Sequence, residues 1–350
     1  MKSFKPILLV IIFILSFSGC SFLGEENNTQ MPTAKPPLQT TESIHEASAE
    51  PDGQGVIYFT VMIHLEGWND GESQEKFQRH AELVRAYADL FEKYGAVMTL
   101  ESKEFTTGCI NWNDNVLKEM EDRGHAIGLH ADQGGSKSQT YKSFFTEVKK
   151  MKEELESLGV TVRHVSGVCS DKDWVKVCID NGFEAVTGVV SYSLWSLDEA
   201  NRPEGFIPYK NPAEGHAAYP WEPELTILPW RANSGTDWIF HDENGKLIII
   251  PSGSGLTAAY EESQGSTRGG EGFEFDINDI NAWRSKIDEL LPYTDSHTVN
   301  TYYAAWSLGG PVDEEMLEKW LQMIDEYVKE GRIVWMGIPD MIDLYNEGAD

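Results

Sequence analysis

Five amphipathic runs in this chain stop on a glycine, and an apolar strand follows each one. The stops are Gly95, Gly124, Gly159, Gly182 and Gly331. Glycine ends a helix because it enters the left-handed backbone region without a Cβ penalty. Helix, glycine and strand in repetition build parallel strands joined by right-handed crossovers. The patterning predicts strands over 56–66, 96–100, 126–130, 161–165, 183–190, 225–229, 247–251, 300–306 and 333–336. It predicts helices over 77–94, 115–123, 144–158, 171–181, 277–291, 312–330 and 339–345. The expected fold class is α/β, a deformed (β/α) barrel of seven or eight mostly parallel strands spanning 55–350. An aromatic-rich insert breaks the rhythm at about 191–224. In barrels of this kind the chemistry sits at the C-terminal tips of the strands.

The first 54 residues read differently. Two lysines precede an apolar run at 7–17, and Ser18-Gly19-Cys20 follows. About 20 apolar residues are needed to span a bilayer, so this run reads as a secretory signal (residues 1–20) with a lipoprotein-type cleavage box. Phe17 stands where such boxes usually carry leucine. The expectation is an exported, membrane-anchored protein with lipid on Cys20. The alternative is a plain signal and a free secreted protein. Residues 21–54 are polar and proline-containing, the composition of a disordered tether.

Charge narrows the partners. The chain carries −29, of which residues 1–54, with three lysines and six acids, supply −3 and the rest −26. Such a surface repels nucleic acid, and no nucleic-acid partner is expected. Beyond Cys20 the cysteines are Cys109, Cys169 and Cys178, an odd number. Cys169 and Cys178 lie about 12 Å apart at helical rise, so a Cys109–Cys169 bridge is the pair to expect if any forms.

Polar residues at strand tips supply the candidate chemistry. The segment Gly124-His125-Ala126-Ile127-Gly128-Leu129-His130 ends a strand on His130, and Asp132 follows. The first strand ends His64-Leu65-Glu66-Gly67-Trp68, and alternation puts His64 and Glu66 on one face. His64, Glu66 and His130 form a His/His/carboxylate set suited to a divalent metal, zinc above all. Asp132 or Glu101, at the second strand's tip, could complete it. The bland alternative is that His64 and Glu66 are a buried polar couple. His125 opens its strand at the far end and reads as structural. Ser252-Gly253-Ser254-Gly255 has no strand-to-helix elbow and reads as a flexible loop.

The residues DRGHAIGLHAD and the order of elements resemble the polysaccharide deacetylase (NodB-homology) family of the glycoside hydrolase/deacetylase superfamily. The resemblance covers residues 56–190 clearly and the remainder loosely, and only the third-strand motif is specific. Its acidic motif would be His64-Leu65-Glu66-Gly67, and its arginine motif Arg163-His164-Val165-Ser166-Gly167. Three departures stand out: a single carboxylate where the family has two adjacent aspartates, glycine at position 134 in place of a second metal histidine, and no late histidine near Trp306. The resemblance implies metal-dependent N- or O-deacetylation of a polysaccharide or oligosaccharide. Glu66 or Asp132 would be the base, Arg163 would orient that carboxylate or hold the oxyanion, and His164 would be the acid. Aromatic faces stack on the apolar faces of sugar rings. Trp68, Glu101, Trp230, Arg231 and Trp306 are the expected substrate contacts, beside Trp195, Tyr209, His216, Tyr219, Trp221, Trp238, Tyr302 and Tyr303. Two other readings stay open: a glycosidase using Glu66 and Asp132, and a catalytically inactive, lipid-tethered glycan-binding protein.

Overall fold

The computed structural model describes residues 55–66, 69–133, 139–203, 206, 217–266, 273–307 and 312–348. The expected signal, tether and lipidated Cys20 lie outside them, as do Trp68, Tyr209 and His216. Among the described residues no helix is long and apolar enough to cross a membrane.

The first half alternates as expected: β1 (Ile57–Leu65), α1 (Gln74–Glu92), β2 (Met98–Ser102), α2 (Glu104–Trp112), α3 (Val116–Asp122), β3 (Ala126–His130), α4 (Tyr141–Glu156), β4 (His164–Ser166), α5 (Trp174–Asp180) and β5 (Ala185–Val186). After short 3-10 turns come β6 (Trp230–Ala232), β7 (Leu247–Ile249), β8 (Ser254–Gly255), α6 (Ala259–Ser263) and α7 (Ile277–Leu290). The last elements are β9 (Asn300–Ser307), α8 (Glu314–Lys329), β10 (Ile333–Trp335) and α9 (Ile338–Glu347). All five helix-stopping glycines have positive φ, from 62° at Gly95 to 93° at Gly124.

The strands form one curled sheet in the order β6-β7-β5-β4-β3-β2-β1-β9-β8, with β10 off this path against the first residues of β1. All pairings are parallel except β6 with β7. This is a deformed (β/α) barrel, with ten strands among the described residues in place of the expected seven or eight, the short β8 lying where a loop was expected. Its end strands, β6 and β8, are not paired to each other.

Two cores hold the sheet. The larger lies between strands and helices and includes Phe59, Trp283, Trp320 and Leu129. There Trp283 meets Phe59 and Trp320 edge-on at 6.0 and 5.8 Å, a favoured aromatic arrangement. The smaller lies within the curl: Met62, Tyr303, Ala185 and Ile248 pack on Ile338, Met341 and Ile342 of α9. The last helix therefore stops the lower end of the barrel.

Several expectations fail for physical reasons. Residues 225–227 form a turn, 228–229 take no regular structure, and the strand starts at Trp230. Helix α2 carries Thr106, Thr107 and Gly108, poor helix formers that hide its pattern. Gly108 is needed there because a Cβ would sit 2.4 Å from a Phe77 ring carbon on α1. Ser254-Gly255 is an edge strand along β9, not a flexible loop. Cys109, Cys169 and Cys178 are all free and buried, so no Cys109–Cys169 bridge exists.

Candidate active site

Strand register sets the site. His64 lies beside Glu101 on one side and Ser307 on the other. Glu101 lies beside Gly128, and His130 beside Ser166. Since Leu129 pairs with Val165, His164 falls level with Gly128. Ser307, His64, Glu101, His130 and Ser166 thus form a row of side chains across the C-terminal ends of five strands.

Glu101 is the hub of that row. It is wholly buried. It accepts hydrogen bonds from Thr187 Oγ1 at 2.8 Å and from the Ser166 hydroxyl. His64 Nε2 lies 3.1 Å from it without hydrogen-bond alignment, and His164 Nε2 lies 3.4 Å away. Burial works to raise the Glu101 pKa. Its contacts with His64, the His164 ring and the Ser166 hydroxyl outweigh burial and hold the carboxyl at about 2. Burial likewise works to lower the His64 pKa, but Glu101, with Glu66 and Asp132 further off, raises it on balance.

His130 stacks on His64 with ring centroids 4.2 Å apart. Ser166 spends its proton on Glu101, so His130 Nδ1, 2.8 Å from Ser166 Oγ, must donate. Without a proton on Nε2, His130 would present a lone pair there to Glu66 Oε2, 2.8 Å away. Two acceptors that close require a proton or a cation between them. Glu66 also accepts from the Ser307 hydroxyl at 3.1 Å. Against its partial burial, which raises the pKa, contact with His130, the charges of His130 and His64, and the Ser307 hydroxyl bring it down to about 2.

These residues fit a metal. His64, Glu101 and His130 each offer one ligand atom, all within 4.8 Å of one another. Two imidazoles and a carboxylate are a zinc-type donor set, and His64 Nε2 is a buried atom without a hydrogen-bond partner. The structure groups Glu101 with the two histidines, while Glu66 stands at the lip against His130. Glu101, expected to touch substrate, is too deeply buried to do so.

The other expected residues scatter. Asp132 sits at the lip with φ of 45° and pairs with Lys103 at 2.7 Å, a cation the sequence reading passed over. His164 is fully buried, and burial holds its pKa down to about 4, so it cannot protonate a leaving group in the cleft. Arg163 precedes β4 at the far end of the strand and is engaged by Glu184, Asp343 and Pro339 O. Arg163→Ala is expected to leave turnover unchanged and lower stability by about 1 kcal/mol, because its partners are exposed. Denaturant melts and activity measured side by side check this. The Trp230 indole donates to Trp238 O, and Arg231 is held by Asn346 and the Tyr345 ring, so neither lines the cleft. Trp238 is buried edge-on against Trp174 and Tyr219.

The cleft above the row has a volume of about 900 Å³. His64, Glu66, His130 and Asp132 line one part of it, with Trp306 and the 43 % exposed Trp221 among its walls. Trp306 keeps only 4 % exposure, edge-on to Tyr87. Sequence reading missed Ser166 as a partner of His130 and Glu101. A polar residue directly after a predicted strand was the available signal.

The barrel-like architecture is shared with solved structures, at sequence identities that bear on fold alone. Puue allantoinase superposes with a TM-score of 0.53 at 12% identity, covering 86% of this chain and 95% of that one. A probable polysaccharide deacetylase from Pseudomonas aeruginosa PAO1 gives 0.51 at 11% identity, covering 84% and 92%. No protein-family model matches the sequence, and a search of curated proteins finds no match.

Proposed function

We propose that this chain is a metal-dependent hydrolase that removes acetyl groups from a polysaccharide or oligosaccharide. The observation that carries the reading is the convergence of His64, Glu101 and His130 at the strand tips, with Glu66 against His130 in an open cleft. The fold shared with the probable polysaccharide deacetylase from Pseudomonas aeruginosa PAO1 supports it.

His64, Glu101 and His130 would hold the ion. A zinc-type ion supplies Lewis acidity and brings the pKa of water to about 7. Ser166 fixes the His130 tautomer so that Nε2 faces the cleft. Glu66 is ionised at neutral pH and positioned by Ser307. It takes the proton of the attacking water and returns it to the departing amine or alcohol. Export and a lipid on Cys20 complete the proposal, supported by the apolar run at 7–17 and the Ser18-Gly19-Cys20 box.

The test strips the purified chain with a chelator, titrates zinc back with elemental analysis, and follows acetate release from acetylated oligosaccharides. One ion per chain with metal-dependent release is the expected result. Sugar binding without ion or release would make the chain a glycan-binding protein instead.

A further inference from the structure

The turn between β1 and α1 holds a buried pair that the proposed chemistry does not use. Asp70 is wholly buried, and its Oδ1 lies 2.6 Å from His80 Nδ1 on α1. A proton must lie between atoms that close. Asp70 Oδ2 is also buried and has no hydrogen-bond partner among the described residues. Burial holds the Asp70 carboxyl above its ordinary range, against the pull of His80. A buried carboxylate with one oxygen unmatched costs stability that an apolar residue would not. It fixes direction, however, which an apolar contact does not.

Helix α2 braces the same turn from its own side. Trp112 Nε1 donates to Asp70 O at 2.7 Å, and Asn111 Nδ2 donates to Gly71 O at 2.8 Å. A Cβ on Gly108 would stand 3.0 Å from Asp70 Cβ, and one on Gly71 2.6 Å from Thr107 Cγ2, so turn and helix are in close contact. The turn also closes on itself: the Glu72 N–H donates to Asn69 O at 3.1 Å, with Asn69 left-handed at φ of 53°.

Glu66 directly follows the last residue of β1, Leu65, whose carbonyl accepts the Lys103 N–H at 3.3 Å. Asp70 comes four residues after Glu66, at most about 14 Å of chain. The backbone of Glu66 thus runs between two fixed points, one at the end of β2 and one on α1 and α2.

We propose that Asp70 and His80 are positioning residues for Glu66: their contact pins the turn to α1 and so holds the Glu66 carboxylate against His130. The inference rests on the hydrolase reading above, in which Glu66 is the base. Misplacing a reacting group by about 1 Å can cost on the order of a hundredfold in rate. His64, Glu101 and His130 lie within paired strands instead, so loosening the turn leaves the metal ligands in place.

The experiment compares the full chain with its His80→Ala, His80→Asn and Asp70→Asn variants. Three measurements are made: crystal structures of the metal-free proteins, zinc titration with elemental analysis, and acetate release from chitotetraose and acetylated xylotetraose. His80→Ala is expected to lose the Glu66–His130 contact, bind zinc as the wild type does, and lower kcat by about tenfold to a hundredfold at unchanged KM. His80→Asn puts an amide nitrogen where Nδ1 stood and is expected to restore most of the rate. Asp70→Asn keeps the shape, weakens the contact and is expected to fall between them, which preserves the test if His80→Ala does not fold. Folded variants with Glu66 still against His130, or with the wild-type kcat, overturn the positioning role alone. A wild type that releases no acetate overturns the hydrolase reading, while the place of Glu66 in the crystals still decides whether the pair holds it.

Discussion

Glu66→Gln is expected to keep the bound divalent ion and lose turnover by about 10²- to 10⁴-fold, while His130→Ala loses both ion and turnover. The two residues touch at 2.8 Å, yet their surroundings assign them different work. His130 is locked from behind: its Nδ1 is held by Ser166, which is itself held by Glu101. The ring therefore has one orientation and one free lone pair. Glu66 stands at the lip with a hydroxyl on one side and an imidazole on the other, ionised and open to the cleft. An amide in its place keeps the shape and can still pair with Ser307, but it cannot take a proton from water. Metal content by elemental analysis and acetate release from one preparation separate the two outcomes. Equal loss of metal in both variants would show that Glu66 is a ligand and leave the base unassigned.

Gly128→Ala is expected to destabilise the fold by about 3 kcal/mol or more, at the upper end for overpacking. A Cβ there would sit 2.1 Å from His164 Nε2, with two ring carbons at 2.6 and 2.7 Å. The His164 ring is wholly buried and level with Gly128 across the β3–β4 pair, so it has no open direction in which to retreat. Any shift presses on Glu101, 3.4 Å away, and through it on His64 and Ser166. Activity should therefore fall with stability. The Gly128→Ala/His164→Ala double variant should be less destabilised than the sum of the singles, because the second change vacates the space the first needs. Urea melts of the four proteins measure that coupling, and simple additivity would refute the steric account.

The path from residues to this site shows what a single sequence carries. Glycine stops and apolar strands are local signals, so the barrel and the placing of His64, Glu66 and His130 at strand tips were legible. The hub was not. Glu101 matters because His64, Ser166 and Thr187 reach it from three other segments, and no local pattern reports cross-strand register. Strand 4 shows the sensitivity: predicted over 161–165, it runs His164–Ser166. That offset moves Arg163 below the sheet, to Glu184 and Asp343, and brings Ser166 to the tip in its place. The pairing of Gly128 with His164 was equally hidden, since a glycine within a strand signals close approach without naming what approaches.

Met62 and Tyr303 form part of the floor under the candidate catalytic groups, and they rest on Ile338, Met341 and Ile342 of the final helix. Any shortened fragment that ends before residue 338 would leave that floor unsupported from beneath and let water reach the catalytic row from the underside. Weak sugar or metal binding by such a fragment would report a collapsed foundation rather than the specificity of the intact protein.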